Sequence, residues 1–311
     1  MKKTMPKVGQ WKEISTSKSV SGFPAQGSQK NLRAFVRYNG KNKVVPGSVV
    51  VRGQVPAGNF SEVAYDLARP LVPLPIFTPL TKTELSNAID LWDSNRALAL
   101  QTYGEINTWV TTNITDMSFL FYANGGFNSN ISNWDVSNVT NMAAMFAQSS
   151  FNQPIGNWNT SNVTDMSTMF FANPSFNQPI GNWNVGSVTT ILMMFGGGSP
   201  SQYSPFDQPL NSWDVSNVTD MQTVFGFSVF NQPLNNWNVS SVTTMRSMFL
   251  GNVTYNQDIS SWDVSGVNDM SDMFSNSTSY NQDLSSWNVD NVEDYENFDN
   301  NTPSWVLPKP N

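Results

Sequence analysis

The sequence predicts a repeat solenoid of the α/β class: about eight coils of 24–25 residues, a helical cap in front of them, and a small all-β unit ahead of the cap. Three observations carry this. Trp109, Trp134, Trp158, Trp183, Trp213, Trp237, Trp262 and Trp287 recur at gaps of 25, 24, 25, 30, 24, 25 and 25 residues. A fixed period in the twenties marks units that bury their apolar faces only by stacking on one another. The apolar positions around each tryptophan keep neither the period of a strand nor that of a helix, so short strands and turns wound as a coil are expected. Ahead of the first copy, a helix-start signal precedes an apolar face of helical spacing.

Residues 1–68 read as a small β unit. KNLRAFVRYNGKNKVVPGSVVVRGQVP alternates apolar and polar residues; Asn39-Gly40 signals a tight hairpin and Pro46-Gly47 a second turn. MPKVGQWKEI, from Met5 to Ile14, is echoed by QVPAGNFSEV, from Gln54 to Val63, as a second and weaker internal repeat. Residues 69–80 hold Pro70, Pro73, Pro75 and Pro79, which makes them an extended connector and places a domain boundary there. In residues 81–104, Thr81 and Glu84 form a capping box, and Leu85, Ala88, Ile89 and Trp92 mark one helix face. A second short helix, Asn95 to Tyr103, stops at Gly104. The two helices are placed to cover the first coil, whose apolar face would otherwise meet water.

Residues 105–299 form the array. One copy reads FNSNISNWDVSNVTNMAAMF from Phe127 to Phe146, and a later one reads YNQDISSWDVSGVNDMSDMF. The gap of 30 before Trp213 comes from an insertion, GGGSPSQYSP at residues 196–205, which must leave the stack as a surface loop. The last copy decays, with Tyr295 and Phe298 where methionine stands elsewhere, and residues 300–311 form a tail whose Trp305 is available to cover the open face.

The tryptophan column reads as a buried structural spine rather than a sugar-stacking platform, because it lies between Ile/Leu and Val columns. Met142, Met145, Met166 and Met169 read as adaptable core filler. Asn128, Asn152, Asn177, Asp207, Asn231, Asn256 and Asn281 follow the repeat-opening aromatics and are expected to form a hydrogen-bonding ladder. Asp116, Asp165, Asp220, Asp269 and Asp294, with Asp135, Asp214 and Asp263, form acidic columns that invite a calcium or a glycosidase reading. Asn and Thr interrupt both columns and the calcium-binding nonapeptide is missing, so neither a metal nor a catalytic pair is assigned. A hydrolase using Asp165 and Asp214 is the weakest alternative. Gly196-Gly197-Gly198 lacks the lysine of a phosphate loop, and the Asn-x-Ser/Thr triplets at Asn138, Asn162 and Asn217 follow from the repeat consensus.

Composition narrows function further. With no cysteine and no histidine, thiolate sites, most zinc sites and every Ser-His or Cys-His arrangement are excluded, so no enzyme and no cofactor is expected. No stretch reaches membrane-helix length, no nucleic-acid partner is called, and no signal peptide or lipid-anchor cysteine is read at the start. Charge is split: residues 1–100 hold 14 Lys/Arg against 6 Asp/Glu, while residues 101–311 hold 2 against 17. Lys30, Arg33, Arg37, Lys41, Lys43 and Arg52 are the candidate basic anchor, and Gly196, Gly198, Gln202 and Tyr203 the candidate contact loop.

The repeats resemble those of the BspA-like leucine-rich-repeat surface proteins (DUF285-type repeats), a family of the kind also encoded by large DNA viruses. The resemblance runs from Thr81 to about Asp299 and includes the YGEINTW entry at Tyr103 to Trp109. It implies a right-handed leucine-rich-repeat coil and a role in adhesion or protein contact. Without a signal peptide or anchor cysteine, the expectation becomes a virion or particle-surface component. Its N-terminal unit would meet capsid or surface-assembly neighbours, with a host-surface protein or glycan on the solenoid. A cell-surface adhesin or glycan-binding module, reaching the surface by a non-classical route, is the alternative.

Overall fold

The structure is a computed structural model describing the backbone of Trp11–Ile14, Arg33–Arg37 and Val50–Arg52, together with residues 76–310. The chain divides into two compact units, Met1–Leu74 and Pro75–Asn311, a division that falls within the proline-rich stretch. Their charges are opposite. The first holds 12 Lys/Arg against 3 Asp/Glu, net +9, and the second 4 against 20, net −16.

In the first unit, β1 (Trp11–Ile14), β2 (Arg33–Arg37) and β3 (Val50–Arg52) form an antiparallel sheet in that order. Phe35 lies opposite Val50 and Arg33 opposite Arg52. A two-residue turn at Asn39-Gly40 would instead set Phe35 opposite Val44 and Arg33 opposite Pro46, so the expected tight hairpin does not join β2 to β3. Asn39, Gly40, Pro46, Gly47 and the Gln54–Val63 echo lie outside the described residues.

The second unit opens with α1 (Lys82–Ser94) and α2 (Arg96–Tyr103). Thr81 accepts the Glu84 N–H at 3.2 Å, and the Glu84 carboxylate reaches back to the N–H of Leu80 at 2.7 Å, one residue further than a capping box requires. Gly104 ends α2 at φ +74°, a conformation that favours glycine. Leu85, Ala88, Ile89 and Trp92 are buried, and the Trp92 ring meets Trp109 edge-on at 5.9 Å, so α1 covers the first coil.

From Asp116 onward the chain returns to the same position once per repeat. Asp116, Asn141, Asp165, Thr190, Asp220, Thr244, Asp269 and Asp294 are joined in order by parallel bridges. Each coil gives alternate N–H groups to the next; Met142, Ala144, Phe146 and Gln148 donate to the carbonyls of Asp165, Ser167, Met169 and Phe171 at 2.8 to 2.9 Å. The intervening N–H groups close local turns, and two residues per turn region, such as Ala144 and Gln148, take φ +54°. A positive φ at the third residue is the mark of a type II turn. Inside, Phe121, Phe146, Phe170, Phe195, Phe225, Phe249 and Phe274 stack face to face at 5.3 to 5.9 Å. Such offset stacking adds to the area buried.

Candidate functional site

All eight repeat tryptophans are buried, at most 4% exposed, so none offers a face to a sugar. From Trp134 to Trp287, each indole N–H donates to the carbonyl of the Ile or Leu three residues before the preceding tryptophan, at 2.8 to 3.4 Å. The column is thus a hydrogen-bonded spine as well as an apolar one. Trp109 comes first in the column; its buried Nε1 finds no partner among the described residues.

The asparagine ladder is continuous on one edge. Asn128, Asn152, Asn177, Asp207, Asn231 and Asn256 each accept, through Oδ1, the backbone N–H of the next member at 2.8 to 3.1 Å. Gln178, Gln208, Gln232, Gln257 and Gln282 add a side-chain N–H to the same oxygens. Asn281 then accepts from Val306 and Leu307 in the tail.

The aspartates are occupied locally. Asp116, Asp165, Asp220, Asp269 and Asp294 each accept the N–H two residues on, as do Asp135, Asp214 and Asp263. The serine hydroxyl and N–H at Ser216 and Ser265 hold Asp214 and Asp263 below the ordinary 3.8. That direction is opposite to the one a glycosidase acid needs. Among the described residues no group of three or more Asp/Glu could hold a metal ion.

A second polar column, which sequence reasoning missed, runs inside the array. Asn173 and Asn252 are buried, and each gives its amide N–H to a serine of the preceding coil, Ser149 or Ser228, at 3.2 and 3.1 Å. Their Oδ1 atoms accept two backbone N–H groups each, from Ser175 and Phe176 and from Thr254 and Tyr255. The signal was that Asn or Ser stands fifteen residues after six of the eight repeat tryptophans, at Asn124, Ser149, Asn173, Ser228, Asn252 and Ser277.

The inserted loop is smaller than expected. Gly196 and Gly197 are buried within the stack, and Gly197 donates to the Gly226 carbonyl at 2.8 Å, in register with the coils on either side. Gly196 is therefore not a contact residue; an added Cβ there would come within 2.9 Å of the Thr223 carbonyl. The loop proper runs from Gly198 to Tyr203, closed by a Ser199–Gln202 bridge, with Gly198 and Gln202 exposed and Tyr203 half-buried, edge-on to Phe227. Of the basic anchor, Arg33 and Arg37 lie in β2 and Arg52 in β3, while Lys30, Lys41 and Lys43 lie outside the described residues.

Residues 83–203 and 199–305 each match the model of a family described as Mycoplasma protein of unknown function, DUF285. The chain belongs to this family. No curated protein and no solved structure matches it. The first DUF285 match begins inside α1 and takes in four of the repeat tryptophans, Trp109 to Trp183; the second takes in the other four, Trp213 to Trp287, and ends at Trp305. The two overlap at residues 199–203, so the inserted loop marks the seam between two four-coil DUF285 blocks. Residues 1–82 lie outside the match. Among the described residues no helix is long and apolar enough to cross a membrane.

Proposed function

We propose that the chain is a non-enzymatic structural and protein-interaction component of a virion or particle surface. The array acts as a right-handed, leucine-rich-repeat-like solenoid without cofactor, and the N-terminal unit is the anchor on capsid or surface-assembly neighbours. The observation that carries this reading is the segregation of charge, +9 in Met1–Leu74 against −16 in Pro75–Asn311, which gives one unit an attraction for acidic surfaces and leaves the other solvated. It is supported by the structural use of the repeated polar columns: indole N–H, Asn ladder and aspartates all bond within the array.

Mass spectrometry of purified particles should find the chain, and a wash at about 1 M salt, where the screening length falls to about 3 Å, should release it. Absence from particles sinks the virion assignment; retention through the wash sinks the electrostatic anchor.

A second reading, a glycan-binding module or adhesin, is favoured by Phe119 and Tyr122. They are 58% and 47% exposed with ring centroids 5.7 Å apart, and Phe119 holds φ +59°. A glycan array probed with the full chain should then give hits that disappear in Phe119→Ser with Tyr122→Ser, and a silent array overturns this reading.

A further inference from the structure

Every coil but the last gives away four N–H groups spaced two residues apart. In the seventh, Met270, Asp272, Phe274 and Asn276 donate to the carbonyls of Asp294, Glu296, Phe298 and Asn300 at 2.7 to 2.8 Å. The matching groups of the eighth coil, the N–H of Tyr295, Asn297, Asp299 and Asn301, meet no acceptor among the described residues. They form a row of donors of the kind an unpaired strand edge presents.

The tail covers only the other half of this end. Pro308 accepts the Leu284 N–H at 3.0 Å, and the Trp305 indole donates to Gln282 at 3.0 Å, so the tail takes the place of a next coil along the asparagine edge. Beside it remains a cavity of about 830 Å³, lined by Val289, Val292, Tyr295 and Phe298 and walled by Lys309 and Pro310. Tyr295 is 69% exposed, whereas Met270, in the same column one coil earlier, is 2% exposed. Glu293, Asp294 and Glu296 stand exposed on the rim, and Lys309 is engaged by Asp299.

We infer that this open end takes the basic N-terminal unit of a second copy of the chain, so that copies associate head to tail. Three observations choose that occupant. The rim is acidic and the unit carries net +9. Among the described residues β1 and β3 each pair with β2 alone, so the outer side of either strand supplies carbonyls that can meet the free donors. Two open ends cannot meet each other productively, because donors would face donors. At the other end the first coil's carbonyl row, Asp116 to Tyr122, lies along α1, where Lys82 donates to Asp116 and Ser118 and Asp93 accepts from Asn124, so that end offers a helix. Head-to-tail contact is heterologous, so each added copy leaves one head and one tail free until a ring closes, and the products are larger than an isologous dimer.

The test uses the full chain in analytical ultracentrifugation, with a tail variant (Glu293→Lys with Glu296→Lys) and a head variant (Lys30→Glu, Lys41→Glu with Lys43→Glu). Circular dichroism melts show whether each variant stays folded. Wild type should grow in average mass with concentration and lose that growth at about 0.5 M salt. The tail variant should associate at least about tenfold more weakly, since reversed charge at a rim repels its partner. Mixed together, the two variants retain one good head and one good tail, and should form a dimer and nothing larger. A wild type that stays monomeric overturns the inference, as does a tail variant that associates like wild type or a mixture that stays monomeric. Association of a folded head variant alone would put another surface in the contact and overturns it equally. None of these outcomes depends on which surface the chain decorates.

Discussion

The two ends of the array are closed by different chemistry. At the first coil, Trp109 is enclosed by Phe77, Trp92 and Tyr103 at 5.1 to 5.9 Å, an apolar lid in which the Trp109 indole N–H is left without a partner. At the last, Trp305 stands edge-on against Phe274 and Tyr280 at 5.2 and 4.8 Å, and the tail satisfies one polar edge while the other meets no acceptor among the described residues. The lid tolerates an orphaned buried donor. The tail keeps its spare donors in water, where they cost little, and remains extendable. A stack of identical units needs a stop at each end, and here the helix lies over the carbonyl row of the first coil, Asp116 to Tyr122, while no element lies over the N–H row of the last, Tyr295 to Asn301, among the described residues.

The largest expected effect breaks the lid. Trp92→Ala removes a fully buried indole and should cost about 3 to 5 kcal/mol in urea unfolding. Trp305→Ala should cost less, about 1 to 2 kcal/mol, because the tail can fray without opening the coils behind it. Equal costs would mean that the two ends are closed equally well, and the contrast would fail.

Much of this contrast was legible in the sequence. Thr81 and Glu84 announced the cap, the tryptophan and valine columns announced the core, and the decay at Tyr295 announced an exposed end. What was not legible depends on register rather than residue type. Gly196 and Gly198 look alike in a run of three glycines, and only counting from Trp183 separates stack from loop. Asn39-Gly40 is a good turn dipeptide, yet β2 pairs Phe35 with Val50 rather than in the register a two-residue turn there would set. The left-handed positions are held by Ala144, Thr168 and Met193, types that carry no turn signal; coil-to-coil hydrogen bonds impose that conformation.

Between the two ends, the interior polar column should behave as part of the core. Asn173→Ala orphans the N–H groups of Ser175 and Phe176 and the Phe151 carbonyl, and should cost about 2 to 3 kcal/mol in the same assay. A loss below about 0.5 kcal/mol would mean that water replaces the amide. Thr168→Gly should act in the opposite direction. Its β-branched side chain is half-buried at φ +53°, and relief of the left-handed conformation should stabilise the chain by about 1 kcal/mol. Destabilisation there would show that the threonine methyl contributes more than the backbone strain costs.

The smallest effect lies on the solvated face, which both ends share. Asp263 accepts the Ser265 hydroxyl at 2.6 Å and N–H at 3.1 Å, and these bonds hold its carboxyl below the ordinary 3.8. Because the folded value lies below the unfolded one, the contribution to stability is present above the unfolded pKa and is lost as pH falls through the folded one. Asp214, Asp258 and Asp283 are lowered in the same way by Ser216, Ser260 and Ser285, so acid should loosen these turns together, below about pH 4. Ser265→Ala removes the largest cause and should raise the Asp263 value toward 3.8 in a carboxyl NMR titration, with the melting temperature at pH 7 nearly unchanged because the group is fully exposed. An unmoved titration would assign the shift to the backbone N–H alone and reduce the serine to a spacer.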